Sequence, residues 1–192
     1  MMKRCEWPGE DPLYQRYHDK EWGVPLRNDK KLFEFLILEG MQAGLSWITI
    51  LKKRENFRKA FDKFDFNKVA EYGERDIKRL LKDAGIIRNE LKIRSAIKNA
   101  RAFLEVRGEF GTFNKYIWGF VDGEPIQNAW KSMKEIPAKT ELSDRISKDL
   151  KKRGFGFVGS TIVYSHMQAT GMVNDHAVYC FRHKEVKQFA RN

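Results

Sequence analysis

Along this 192-residue chain the apolar positions recur at a helical period. Asp29 is placed to cap a helix whose stripe runs through Leu32, Phe33, Leu36 and Leu38. A second stripe uses Trp47, Ile48 and Leu51 and continues toward Phe57, Ala60, Phe61 and Phe64. Asn67 and Asp76 read as helix starts. Ile77, Leu80, Leu81 and Ala84 fall on one helix face, and Gly85 follows them as a left-handed cap. Leu91, Ala96, Ile97, Ala100 and Phe103 fit a further helix, closed near Gly108. Ser143 to Lys152 reads as a basic helix stopped by Gly154. Ser160 or Thr161 can cap a last long helix through Ile162, Met167 and Ala169, ended by Gly171. Between Phe110 and Pro137 the pattern predicts a turn at Asp122-Gly123 and little else regular. No alternation of strand type persists and no repeat recurs, so the expected fold class is all-α.

Composition narrows the class of partner. The 37 basic and 26 acidic residues leave a net charge of +11, which favours an anionic partner, nucleic acid or an anionic membrane surface, over the competing reading of a basic soluble enzyme. At 42% hydrophobic and 13% aromatic residues the chain can bury a core, which excludes a disordered chain. The length suits a single domain over 1–192, built as one body or as two closely packed helical lobes. The longest uncharged run, Gly40 to Leu51, falls short of the ~18 apolar residues of a membrane span. Met1 to Glu10 lacks the apolar segment of a signal peptide, so a cytoplasmic location is expected, with Cys5 and Cys180 reduced.

Two sets of residues carry candidate chemistry. Cys5 and His18 near one end, with His176 and Cys180 near the other, make up a full tetrahedral zinc set. The four-residue spacing of His176 and Cys180 would put both on one helix face. Two unrelated buried cysteines and two polar histidines are the competing reading. His166 and His183 have no paired partner and read as core or surface residues. The other set centres on Glu39. Glu34, preceded by Lys30 and Lys31, reads as a solvated position; Glu39 sits among Phe35, Leu36 and Ala43, on or beside the apolar face. A carboxylate there is costly unless it is paired, functional, or able to reach water past Gly40. Tyr14, Tyr17, Trp22 and Trp47 surround it in sequence, which suits a flat cationic ring, although aromatic residues also fill cores. Arg153 to Val158 matches most of an RNA-recognition motif, but that motif needs a central strand and here lies between helical patterns.

The run Leu38-Glu39-Gly40, then Gln42 to Thr49, resembles the signature of the 3-methyladenine DNA glycosylase I family. So do Cys5, Trp7, Asp11 to Tyr14, Tyr17 to Asp19 and Glu21 to Pro25. Further matches are Asp83 to Arg88, Lys151 to Phe155, Phe157 to Gly159 and Val173 to His176. The resemblance spans Lys3 to Cys180 and is loosest over Gly119 to Thr140; the tail with Arg182, His183, Lys184 and Lys187 carries no family motif. It implies a helix-hairpin-helix glycosylase fold, with a structural zinc on Cys5, His18, His176 and Cys180 joining the two terminal segments. It implies that Glu39 is the base-recognising carboxylate and that Tyr17 and Trp47 line the pocket, with Tyr14, Trp7 and Trp22 close by. Gly44 and Leu45 would fill the gap left by a flipped nucleotide, and a hairpin around Ala84 to Arg88 would hold a phosphate. Lys52, Lys53, Arg54, Lys151, Lys152 and Arg153 are candidates for neutralising phosphates. The implied partner is alkylated double-stranded DNA, met by a monomer that uses no nucleotide cofactor and no membrane. A non-catalytic nucleic-acid-binding module and a zinc hydrolase are the rival readings. Four protein ligands on one zinc leave no open position and argue against the second.

Overall fold

The computed structural model describes residues 3–189, and almost all of its regular structure is helical. Ten α-helices follow one another among these residues: α1 (Pro12–Lys20), α2 (Asp29–Gln42), α3 (Trp47–Ala60), α4 (Phe66–Ala70) and α5 (Glu74–Lys82), then α6 (Glu90–Phe110), α7 (Phe113–Trp118), α8 (Glu141–Lys152), α9 (Ser160–Ala169) and α10 (Phe181–Phe189). Two short extended pieces, β1 (Ile126–Gln127) and β2 (Val173–Asn174), pair in parallel, Ile126 opposite Val173. Among the described residues no helix is long and apolar enough to cross a membrane. The Arg153–Val158 run leaves the end of α8 as a turn, with no strand, as expected.

Helix α2 is the hub. Ten successive residues, Leu32 to Met41, are buried, and α3, α6, α7 and α9 all pack against this helix. A helix covered on all sides needs apolar residues all round rather than a stripe. Burial of Glu34 overturns the solvated position expected from Lys30 and Lys31. Only Lys31 reaches it, at 3.2 Å. The decisive partners come from α3: Arg54 Nε donates to Glu34 Oε1 at 2.8 Å, and Arg58 Nη2 donates to the same oxygen at 2.6 Å. Burial alone would raise the Glu34 pKa, but Arg58 and Arg54 hold it below the ordinary carboxylate range.

Several helix boundaries differ from those expected, each through a cap. Asn28 caps α2 by accepting from the Lys31 N–H. Asp29 instead serves the start of α7, accepting from the N–H groups of Phe113 and Asn114 and from Arg107 Nε. Asp65 caps α4, two residues before Asn67, and α5 begins at Glu74, with Asp76 accepting from the Gly73 N–H. Helix α6 runs past Gly108 and closes at Gly111. Gly85 is not a left-handed cap: α5 ends at Lys82, and a Cβ at Gly85 would meet Asp83 Oδ1 at 2.9 Å and Asn56 Cβ at 3.1 Å, so the glycine sits at a close approach of side chains. Gly171, by contrast, ends α9 as expected, at φ 71°, and its bare Cα lies where a Cβ would strike the Val24 backbone at 2.4 Å. This close approach lets Leu26 N–H donate to Thr170 O at 2.9 Å, fixing the N-terminal segment against α9. The turn at Asp122-Gly123 is present. Helices α1, α7 and α10 add to the elements expected from periodicity; the six residues of α7 are too few to show a period.

The Glu34 contacts make a prediction. Glu34→Gln leaves buried Arg54 short of a counter-charge and should destabilise the chain by about 3 kcal/mol, read from urea unfolding. A loss below about 1 kcal/mol would contradict this account of the hub.

Candidate active site

Five residues after Glu34 on the same helix, Glu39 is equally buried and has no such partners. Its side chain is 3% exposed, and among the described residues it accepts no hydrogen bond and joins no ion pair. Burial pushes its pKa up to about 8, with nothing opposing. Glu39 lines a cavity of about 330 Å³. The volume is at the lower end for small-molecule sites and suits one planar ring system. Trp7, Tyr14, Tyr17, Trp22 and Trp47 line the same cavity, so the structure gathers Glu39 with all five expected aromatics. Tyr17 and Trp47 are 5.5 Å apart between ring centroids, and Trp47 stacks on Phe35 at 6.3 Å. Burial, reinforced by Glu39, raises the Tyr17 and Tyr14 phenols. The indole Nε1 atoms of Trp7 and Trp47 are buried without a hydrogen-bond partner. Unmet donors of this kind cost about 1–3 kcal/mol each and are tolerated where function needs them.

Gly44 and Leu45 lie in the turn between α2 and α3 and line a second hollow together with Glu39 and Gln42. Gly44 adopts φ 76°, a conformation that favours glycine. Leu45 is 41% exposed. Lys92 of α6 holds the turn, donating from Nζ to Met41 O at 2.9 Å and Ala43 O at 2.6 Å. It thereby satisfies carbonyls left free at the end of α2.

The four expected metal ligands meet although the chain brings them from opposite ends. The donor atoms of Cys5, His18, His176 and Cys180 all lie within 4.8 Å of one another and all four residues are buried. Cys180 Sγ is 3.5 Å from His18 Nε2 and 3.7 Å from His176 Nδ1, and Cys5 Sγ is 3.7 Å from the same Nδ1. Ligand atoms around a tetrahedral ion with bonds of about 2.0–2.3 Å lie about 3.4–3.8 Å apart, so the set fits a metal. The second nitrogen of each histidine is anchored to oxygen. His18 Nδ1 is 2.8 Å from Asp19 Oδ1, itself bonded by Arg4, and His176 Nε2 is 3.0 Å from Trp22 O. This is the outer support that fixes imidazole ligands. His176 and Cys180 do not share a helix as expected: they bracket a turn between β2 and α10, closed by Cys180 N–H donating to Ala177 O. The aromatic wall is continuous with this cluster, because Trp22 packs edge-on to His176 at 4.6 Å and Trp7 to His18 at 5.3 Å.

Half of the cavity wall has no counterpart in the sequence reading. Helix α9 contributes Thr161, Tyr164, Ser165 and Gln168. These sit at i, i+3, i+4 and i+7, a polar stripe on an otherwise apolar helix, and that was the signal available. Met133 and Ile136 to Ala138 close the cavity from an irregular segment that carries no periodic signal. Among the basic residues proposed to meet phosphate, Arg54 is buried with Glu34 and Glu21, and Arg153 is paired with Glu109 and Asp149. Lys52 pairs with Asp11. Lys151 and Lys152 are exposed.

Comparison with known proteins finds relatives over nearly the whole chain. The methyladenine glycosylase family matches residues 7–183. DNA-3-methyladenine glycosylase 1 of Escherichia coli (strain K12) is 55% identical over 179 residues, 93% of this chain and 96% of its own length. A crystal structure of 3-methyladenine DNA glycosylase I superposes with a TM-score of 0.91 at 53% identity, covering 93% of this chain and 98% of its own. A Staphylococcus aureus 3-methyladenine DNA glycosylase I, solved to explain 3-methyladenine recognition, reaches the same TM-score at 36% identity, covering 94% and 96%.

The cluster geometry predicts that Cys180→Ser lowers bound metal well below one ion per chain and the unfolding midpoint by about 5–10 °C, read by elemental analysis and a thermal scan. Full metal occupancy in that variant would remove Cys180 from the ligand set.

Proposed function

The chain belongs to the methyladenine glycosylase family, and from that premise we propose that it excises 3-methyladenine from alkylated double-stranded DNA, leaving an abasic site. The observation that carries the reading is the buried, unpartnered carboxyl of Glu39 in an aromatic cavity sized for one base. A base inside a duplex cannot enter such a cavity, so the nucleotide is flipped out. Leu45, exposed at the tip of the Gly44 turn and steadied by Lys92, fills the gap left in the stack. The turn between α5 and α6 is the phosphate-holding hairpin of a helix-hairpin-helix fold. Within it the Gly85 N–H is already taken by Asp83 Oδ1 at 2.7 Å, and exposed Ala84 and Arg88 lie on the outside.

Methylation at N3 makes adenine formally cationic in DNA. Its C1′–N9 bond is weakened, and the base departs as neutral 3-methyladenine with the bonding electrons. Water adds to C1′ and loses a proton, so the leaving group needs no acid. Glu39 accepts a hydrogen bond from the exocyclic amine and stabilises the developing positive charge on the sugar. Trp47 stacks on the ring, and Tyr17 adds a polar contact. Ordinary adenine is rejected because it has a stronger bond and no charge. The entering cation offsets the desolvation that keeps Glu39 protonated, so Glu39 acts as the carboxylate.

Zinc is the metal we assign to Cys5, His18, His176 and Cys180. Two thiolates and two imidazoles in a closed set are its structural donor set, and such a site adds folding stability without taking part in catalysis. The enzyme works as a monomer and uses no nucleotide cofactor.

Release of bases from methylated duplex DNA, separated by chromatography, tests the reading. The wild-type chain should free 3-methyladenine and leave 7-methylguanine in place. Glu39→Gln should keep its fold and metal and lose about 10²–10³-fold in rate. For the wild type, kcat/KM should rise about tenfold per pH unit toward pH about 8 and then level, because the free protein must first lose the Glu39 proton. Near wild-type release by Glu39→Gln would remove Glu39 from the mechanism.

A further inference from the structure

Asp175 is fully buried behind the cavity, and the mechanism above makes no use of it. Four donors converge on its two oxygens. Asn128 Nδ2 and Trp130 Nε1 each donate to Oδ1 at 2.7 Å. Tyr164 Oη donates to Oδ2 at 2.7 Å and Gln168 Nε2 to the same oxygen at 2.8 Å. That is the full complement of lone-pair sites a carboxylate offers. Two of these donors, Tyr164 and Gln168, belong to the cavity wall on the α9 side.

A carboxyl group whose two oxygens are met by four donors can only accept from them, so it sorts its neighbours. The single hydroxyl hydrogen of Tyr164 is turned toward Asp175. The Gln168 amide is turned with its nitrogen on Asp175 and its oxygen away. What the Tyr164 hydroxyl can still offer a ligand is a lone pair. This matters for a choice that charge cannot make. Guanine methylated at N3 is as cationic as 3-methyladenine and just as flat. The two differ at C2, where guanine alone carries an amine, and at C6, where adenine carries an amine that donates and guanine a carbonyl that accepts; the C6 edge is the one a donor or acceptor on the protein can sort. We propose that Asp175 is a positioning residue that sharpens the base specificity of the site: by holding the Tyr164 hydrogen and orienting Gln168, it makes this wall, like Glu39, accept from an amine edge and denies a donor to a carbonyl edge. The proposal rests on the glycosylase reading and adds a second determinant to the choice of adenine over guanine. The other two donors explain how the wall is kept in place, since Asn128 and Trp130 tie the irregular segment before Met133 to the same carboxylate.

The test measures release of 3-methyladenine and 3-methylguanine from the same methylated duplex, for the wild type, Asp175→Asn, Tyr164→Phe and the double variant. Metal content and unfolding midpoint are recorded for each. Asp175→Asn places an amide where only an acceptor stood, so the Tyr164 hydrogen is freed toward the cavity. Release of 3-methyladenine should fall about tenfold while release of 3-methylguanine rises, narrowing the ratio by well over tenfold. Tyr164→Phe should lower 3-methyladenine release about tenfold with no gain for guanine. In the double variant the gain for guanine should vanish, because it is made through Tyr164. An equal fall for both bases in Asp175→Asn, or an unchanged ratio, would overturn the proposal and leave Asp175 a purely structural group. Should Asp175→Asn not fold, wild-type release of both bases by Tyr164→Phe would overturn it equally. A wild-type chain that frees neither base would instead count against the glycosylase reading.

Discussion

A helix buried on every side has no cheap place for a charge, and the buried stretch of α2 from Leu32 to Met41 carries two. The rest of the molecule is arranged around how each is treated. Glu34 is answered by Arg54 and Arg58 from α3, and these contacts fix α3 against α2. Glu39, five residues on, is left unanswered and faces a cavity instead. One carboxylate therefore holds the fold together, and the other stores unfavourable energy that a cationic ring can release on entering. The same helix ends in the Gly44-Leu45 turn, so the residue we propose to read the base and the one we propose to fill the gap share one rigid support.

The Cys/His cluster and Asp175 play matching parts on the far side of the cavity. Trp7 and Trp22 lie between the cavity and the histidine rings, so a metal held by the cluster would join the two terminal segments and also fix an aromatic wall. Asp175, next to His176 in sequence, draws in α9 and the irregular segment before Met133. Segments far apart in sequence thus meet at one pair of adjacent residues, and the cavity between them is shaped before any ligand arrives. Preorganisation of this kind lets a site act electrostatically on a developing charge.

Much of this was legible in the sequence, and the limits have physical causes. The all-α class followed from periodicity, and the aromatic group around Glu39 and the four metal ligands could be named as candidates. Glu34 was misread because its nearest charges in sequence are lysines, whereas its partners come from α3, 20 and 24 residues on. A charge on a helix is judged by its own helix only when nothing covers it. Caps shifted by a residue or two where several polar residues compete, as Asn28 and Asp29 do. Gly85 was assigned to backbone freedom when its role is close packing, and a sequence does not separate those two uses. The α9 side of the cavity is a polar stripe on an apolar helix, whose meaning depends on a tertiary fact, that this face lines the same cavity as Glu39. The segment from Met133 to Ala138 has no period to read.

The claim at the centre is that the Glu39 carboxyl is buried without compensation, and stability against pH measures it directly. A folded-state pKa of about 8, above the ordinary value of 4.5, means that the folded chain holds a proton that the unfolded chain has lost. That contribution is fully present below pH about 4.5 and is lost as pH rises toward 8, at about 1.4 kcal/mol per unit. Urea unfolding of the wild type and Glu39→Gln from pH 5 to 8 should show the variant gaining on the wild type at each step and exceeding it at pH 8. Parallel curves across that range would show that Glu39 is compensated in the folded state and would contradict the account.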